Sequence, residues 1–287
     1  MSADRSPALI IHLTPGITAA ARDQLVALLA DYDLLAIQED DLSSARTWTA
    51  HFGSADARAA AASALESFAA GDPLQVEATD VQDEDWARRT QADLPAIRIG
   101  RIVVAPPWDV PAVADGDGAL VVEIEPSRGF GTGHHQSTRL CLVLLQSRPL
   151  QSRTMIDVGT GSGLLAIAAA KLGAAFVSAI DVDPDAIENA RENIASNGVA
   201  AAVEAHVRDL TEPGMPPADI VTANLTGTLL ARHAAALTAF VKPGGSLIVA
   251  GFTVDEKPLV LEAFEPEFAL TESAEEDDWW AFVLTRT

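Results

Sequence analysis

Thr154-Met-Ile-Asp157-Val-Gly159-Thr-Gly161-Ser-Gly163-Leu164-Leu-Ala-Ile-Ala-Ala-Ala-Lys171 is the stretch that decides the fold. It reads as a buried strand, a glycine turn and a helix. Glycines at 159, 161 and 163 let the backbone turn sharply and come close to a ligand. The helix start beyond them offers N–H groups without intrahelical partners. The spacing is G-x-G-x-G, whereas a dinucleotide fingerprint needs its third glycine at position 164, which is Leu164. Asp181 closes the next strand, 22 residues after Gly159. A carboxylate there can accept hydrogen bonds from both ribose hydroxyls. A glycine-rich turn can be only a tight turn. In register with strand, helix, second strand and terminal acid, it predicts a nucleoside-type ligand at Gly159, Gly161 and Asp181.

From Gln136 onward helices alternate with buried strands. Met155–Val158, Val177–Ile180, Ala202–Val207, Ile220–Ala223 and Ser246–Ala250 are the predicted strands. Leu164–Leu172, Pro184–Ser196 and Gly227–Phe240 are the predicted helices, so the sheet should be mostly parallel and doubly wound. Ligands in such sheets sit beyond the carboxyl ends of the strands. Asn224 ends the fourth strand in Asp219-Ile-Val-Thr-Ala-Asn224-Leu225-Thr226, and its amide oxygen can accept a hydrogen bond from a nucleophilic amine. Its bland role is to cap the following helix. Asp209 follows the third strand, where it contacts an adenine amino group or is simply an exposed loop aspartate.

The first eighty residues follow another rhythm. Ala8–Leu13, Leu34–Gln38, Arg46–Phe52 and Leu74–Ala78 read as strands, and Ile17–Tyr32 and Ala55–Ala70 as helices. That order suits a small ferredoxin-like α+β domain over residues 1–79. Asp80–Arg98 is charged, with Trp86 as its large apolar anchor, and reads as a linker helix. Ile99–Pro107 and Leu120–Ile124 read as strands that open a second domain over residues 99–287.

Nearly half the residues are apolar, which fits a globular protein. The opening MSADRSPALIIHLTPG has no basic region leading into a long apolar core, and no apolar run approaches the ~20 residues that span a bilayer. A cytoplasmic, monomeric protein without membrane contact is expected. The single cysteine, Cys141, carries no metal-ligand spacing. The net charge of −22 disfavours nucleic acid as a direct partner and favours a lysine-rich protein. It serves solubility or a salty cytoplasm equally well.

Glu125-Pro-Ser-Arg-Gly-Phe130-Gly131-Thr-Gly133-His134-His135-Gln136-Ser137-Thr138 precedes the glycine loop. Glycines flanking Phe130 suggest a loop that covers a pocket. The paired histidines lack a third ligand at zinc spacing, so no metal is expected. Ser162 lacks the G-x-S-x-G setting of a hydrolase nucleophile.

Taken together, Glu84-Asp85-Trp86, Glu125-Pro126, Phe130-Gly-Thr-Gly-His134, Asp157-Val-Gly-Thr-Gly-Ser-Gly163, Ile180-Asp181-Val-Asp-Pro184 and Ala223-Asn224-Leu225 resemble the PrmA family, bacterial methyltransferases of large-subunit ribosomal protein L11. The resemblance covers the linker and the C-terminal domain. The N-terminal domain is similar in size and element order more than in residues. The resemblance implies a seven-stranded, Rossmann-like class I methyltransferase domain preceded by a domain that recognises the ribosomal protein. It implies S-adenosyl-L-methionine as cofactor, contacts to it from Thr138, Gly159, Asp181 and Asn224, and methylation of lysine side chains and an N-terminal α-amine. Gln136-Ser137 departs from the family, which usually carries a proline or acid followed by threonine; Thr138 itself is retained. Other readings keep the fold with another protein lysine or a small molecule as acceptor, or make the chain a cofactor-binding module of ribosome assembly without turnover. Leu164 disfavours an NAD-linked dehydrogenase.

Overall fold

The computed structural model describes residues 5–13, 25, 28–29, 32, 34–40, 47–66, 74–82, 94–112, 118–125 and 133–287. The chain divides into two compact units, Met1–Asp93 and Leu94–Thr287.

The first unit is an antiparallel sheet in the order β2-β3-β1-β4, built from β1 (Arg5–His12), β2 (Leu34–Asp40), β3 (Thr47–Phe52) and β4 (Gln75–Gln82). β3 shows why it is a strand: Trp48, Ala50 and Phe52 are buried and the residues between them are not. Helix α1 (Ala55–Glu66) starts where the Ser54 hydroxyl accepts the Ala57 N–H at 3.1 Å, and it buries Ala61 and Leu65 one turn apart. Those two residues join Leu9, Ile11, Trp48 and Phe52 in one core. Most of the helix expected over Ile17–Tyr32 lies outside the described residues; Leu25, Leu28 and Leu29 within it are helical and pack into the same core. The order and pairing are those of the ferredoxin-like domain.

Two expectations at the junction need correction. Asp80–Gln82 continues β4, and Ile97–Arg98 starts β5 (Ile97–Ile99), so neither end of the expected linker helix is helical; residues 83–93, with Glu84, Asp85 and Trp86, lie outside the described residues. Nor is Ile99–Pro107 one strand. Gly100 adopts φ +58°, a left-handed turn that sends the chain back as β6 (Ile102–Ala105) antiparallel to β5. β7 (Leu120–Glu123) then pairs parallel to β6.

The large sheet of the second unit runs β10-β9-β8-β11-β12-β14-β13. It contains β8 (Thr154–Val158), β9 (Phe176–Asp181), β10 (Val203–Val207), β11 (Ala218–Asn224), β12 (Val241–Thr253), β13 (Phe268–Glu276) and β14 (Trp279–Arg286). The first five strands are mutually parallel, and β14 is antiparallel to both its neighbours. Alternation along β8 serves two cores: Met155 packs with α2 (Gln136–Gln146), α3 (Leu164–Lys171) and α4 (Pro184–Ser196). Ile156 and Val158 pack on the opposite face with α5 (Gly227–Arg232), α6 (Ala234–Phe240) and α7 (Lys257–Phe264). Strands covered on both sides need continuous apolar runs, which is why Leu247, Ile248, Val249 and Ala250 are all fully buried. The expected helix Gly227–Phe240 is two helices, because His233 leaves helical geometry at φ −106°, ψ 15°. Among the described residues no helix is long and apolar enough to cross a membrane.

This is the seven-stranded class I methyltransferase arrangement. Its strand order reverses at β8, which is flanked by β9 and β11. The crevice beyond the carboxyl ends of these three strands is where such a sheet takes a ligand.

Candidate active site

The glycine loop occupies that crevice. Gly159, Gly161 and Gly163 all take positive φ (+68°, +53° and +82°), which L side chains rarely adopt. A Cβ on Gly159 would also lie 2.8 Å from Leu225 Cδ2, so a side chain there would have to displace Leu225. The loop is anchored to β9 where the N–H groups of Gly159 and Thr160 both donate to the Ile180 carbonyl, at 2.9 and 3.0 Å.

Asp181 stands one residue beyond that carbonyl. Its Oδ2 accepts the Gly161 N–H at 3.0 Å and its Oδ1 accepts the Asp183 N–H at 3.1 Å. One backbone donor therefore sits on each oxygen, and a carboxylate has about four acceptor positions. The unused position on each oxygen matches the two hydroxyls of a ribose. The partly exposed carboxylate and the glycine-rich loop beside it fit an adenosine-type cofactor.

Under the loop lies a buried carboxylate. Asp157 is 1% exposed. It accepts the Thr222 hydroxyl at 2.5 Å and the Thr160 hydroxyl at 2.7 Å. Burial pushes its carboxyl up to about 6, against the pull of those two hydroxyls. Asp157 and Thr222 are register partners on β8 and β11, so the network ties the loop to the strand that ends in Asn224.

Asn224 closes β11, and its Nδ2 donates to Thr138 Oγ1 at 3.2 Å. This bond directs the donor side of the amide toward α2 and gives Oδ1 the accepting role. The helix cap belongs to another residue: Thr226 accepts the Leu229 N–H at the start of α5. Gly251 keeps the space in front of Asn224 open. A Cβ there would come within 2.6 Å of the Leu225 carbonyl oxygen and 2.9 Å of Asn224 Oδ1.

Thr138 sits in the first turn of α2, 5% exposed. His135 caps that helix: its Nδ1 accepts the Ser137 N–H at 3.3 Å and lies 2.8 Å from the Ser137 hydroxyl. Burial, with Arg139 nearby, holds the imidazole below its usual pKa and favours the neutral form the cap needs. His134 Nε2 is 3.1 Å from the Pro95 carbonyl. The histidines thus hold the polypeptide, and among the described residues no three metal-ligating side chains gather. Phe130 and residues 126–132 lie outside the described residues.

Asp209 follows β10 and is exposed; its Oδ1 accepts the Thr211 N–H and hydroxyl at 2.7 and 2.6 Å, closing a local turn. Asn193 is a further polar residue of the site. Buried on α4, it donates from Nδ2 to the Ser162 carbonyl and accepts the Glu125 N–H at Oδ1, both at 2.9 Å. The glycine loop and the root of the 126–132 segment therefore share one side chain. A helical asparagine gives no sequence signal for this; only the fold brings positions 125 and 162 to it.

Residues 8–287 match the family described as ribosomal protein L11 methyltransferase (PrmA). A protein of that name from Geobacter metallireducens is 38% identical over 260 residues, covering 87% of this chain and 85% of its own. Another, from Pelotomaculum thermopropionicum, is 39% identical over 222 residues, covering 77% and 71%. The crystal structure of a ribosomal protein L11 methylase from Lactobacillus delbrueckii subsp. bulgaricus superposes with a TM-score of 0.62 at 26% identity, covering 68% of this chain and all of the other. With the seven-stranded order, the glycine loop and the Asp181 and Asn224 strand ends in place, the chain belongs to the ribosomal protein L11 methyltransferase family.

Proposed function

We propose that this protein acts in the cytoplasm, moving methyl groups from S-adenosyl-L-methionine to amine nitrogens of ribosomal protein L11: lysine side chains and the N-terminal α-amine. The observation that carries the reading is the pairing of a ribose-type acceptor, Asp181, with an amine-type acceptor, Asn224. They close strands on either side of one glycine loop in a chain of this family. The net charge of −22 supports a cationic protein partner over nucleic acid.

When bound, S-adenosylmethionine supplies a sulfonium-borne methyl group open to in-line displacement by an amine lone pair. The chain's own residues do the rest. Gly159 and Gly161 allow close backbone approach, and Asp181 holds the ribose hydroxyls. Asn224 Oδ1 and the Leu225 carbonyl, kept open by Gly251, accept the hydrogens of the incoming amine and aim its lone pair. With Nδ2 on the Thr138 hydroxyl, Oδ1 is the amide atom left for that amine.

Protonation sets the main demand. At pH 7 a lysine of pKa about 10.4 is neutral only ~0.04% of the time, a cost of roughly 4.6 kcal/mol, whereas an α-amine costs about 1 kcal/mol. Nearby carboxylates stabilise the ammonium and raise that cost. The acidic surface therefore serves capture, and burial with alignment serves reaction; holding nucleophile and methyl in line contributes several kcal/mol. Peptide mapping of purified L11 after incubation with enzyme and labelled cofactor tests the proposal. Label on lysine and α-amine nitrogens supports it, and label on other atoms or none refutes it.

A further inference from the structure

The first turn of α2, which carries Thr138, is gripped by the carboxyl-terminal hairpin. β13 and β14 join through Asp277-Asp278, with Asp277 at φ +54°, and this tip lies level with the end of β12 because Thr253 pairs with Trp279. Three contacts run from the tip to α2. Trp279 meets the His135 ring edge-on, centroids 4.5 Å apart at 75°. Glu276 takes Arg139 in a forked pair, Nε at 3.0 Å from both carboxylate oxygens and a terminal nitrogen at 2.6 Å from Oε1. Gln136 Nε2 donates to Asp277 Oδ2 at 3.2 Å. The other terminal nitrogen of Arg139 donates to the His134 carbonyl, so the pair also fixes the backbone before the helix. His135 and Arg139 are one helical turn apart, and Thr138 lies between them.

We infer that Trp279 and Glu276 are positioning residues for methyl transfer: by clamping His135 and Arg139 they hold Thr138 where its hydroxyl receives the Asn224 amide. A bidentate pair and an aromatic edge contact suit the task, because both fix direction as well as distance. A residue more than 50 positions from Asn224 in the chain thereby sets the orientation of the acceptor amide. The inference rests on the proposed role of Asn224.

A double-mutant cycle tests it. Trp279→Ala and Glu276→Gln should each lower the single-turnover rate roughly 10-fold or more, with cofactor Kd changed less than about threefold, and Trp279→Phe should recover most of the rate. In a Thr138→Val background, where the Asn224 contact is already lost, Trp279→Ala should cost less than about twofold. Equal losses in both backgrounds, or no loss in the native one, overturn the inference. Amide exchange at residues 137–139 gives a readout that needs no substrate. Trp279→Ala should speed it at least tenfold and Trp279→Phe should not; unchanged exchange also overturns the clamp. If the native enzyme binds cofactor but does not methylate L11, the functional reading fails while the exchange result still decides the clamp.

Discussion

Replacing Asp181 with alanine removes the acceptor assigned to the ribose. In the structure each of its oxygens holds one backbone donor, from Gly161 and from Asp183, which leaves one acceptor position per oxygen for the two hydroxyls. A hydrogen bond to a charged group contributes about 1.5–3 kcal/mol, so two lost together cost roughly 3–6 kcal/mol. At about 1.4 kcal/mol per tenfold, cofactor Kd should rise 10²-fold or more. Asp181→Asn keeps one acceptor and both ends of the side chain's reach, so its loss should be intermediate, near tenfold. Isothermal titration with S-adenosylmethionine and with S-adenosylhomocysteine measures both variants, and thermal melts without ligand check that the Gly161 contact has not collapsed the loop. A Kd within threefold of native in a folded Asp181→Ala protein would refute the ribose assignment.

Asn224→Ala should retain cofactor affinity within a few-fold and lose roughly 10²-fold in single-turnover rate, since it removes an orienting acceptor; an unchanged rate takes Asn224 out of the mechanism. Asp157 titrates near 6 when folded and near 3.8 when unfolded, so the folded protein binds this proton more tightly. Its contribution to stability therefore rises as pH falls through about 6 toward 4, by at most about 3 kcal/mol. Denaturant unfolding should show native protein gaining on Asp157→Asn between about pH 7.5 and 5; a flat difference means the carboxyl titrates normally. At the opposite end of the sheet, Asp219 accepts Thr154 N–H at 2.9 Å, Thr154 hydroxyl at 2.8 Å and Lys242 Nζ at 3.1 Å. The Thr154 backbone bond leads in holding its carboxyl well below the usual range, so this stability is present above about pH 4 and lost on acidification. Asp219→Ala should cost about 1–3 kcal/mol at neutral pH and leave cofactor Kd unaltered, and a weakened Kd would show that the two ends of β8 and β11 communicate.

The legible parts of this chain are those whose cause is local. Positive φ at 159, 161 and 163 demands glycine, and β8 and β9 demand apolar runs, so the loop and Asp181 stand out in any reading of the sequence. The same locality explains Asn224, placed at a strand end by the run before it. Thr138 was marked only through the family resemblance, because α2 is buried over most of its circumference and Gln136-Ser137-Thr138 carries no amphipathic period. The β13–β14 hairpin was missed for a related reason. β13 is an edge strand in which Ala269, Leu270, Thr271, Ser273 and Glu275 are exposed, so no apolar alternation marks it, and the turn uses two aspartates where glycine would announce it. Pro107, the last residue of the expected strand Ile99–Pro107, instead opens a short 3-10 helix, Pro107–Asp109, since two prolines at 106 and 107 cannot donate to a ladder. Asn193 reaches Ser162 and Glu125, and Asp157 reaches Thr222, partners distant in sequence that periodicity does not reveal.

One crevice, bounded by Asp181 and Asn224, is proposed to deliver methyl groups to the amines of a ribosomal protein. Intact-mass analysis of purified L11, incubated with S-adenosylmethionine and either native enzyme or Asn224→Ala, addresses it most directly. Methyl increments are expected with native enzyme, and few or none with the variant at equal cofactor occupancy. Unmodified L11 after incubation with native, cofactor-loaded enzyme would contradict it.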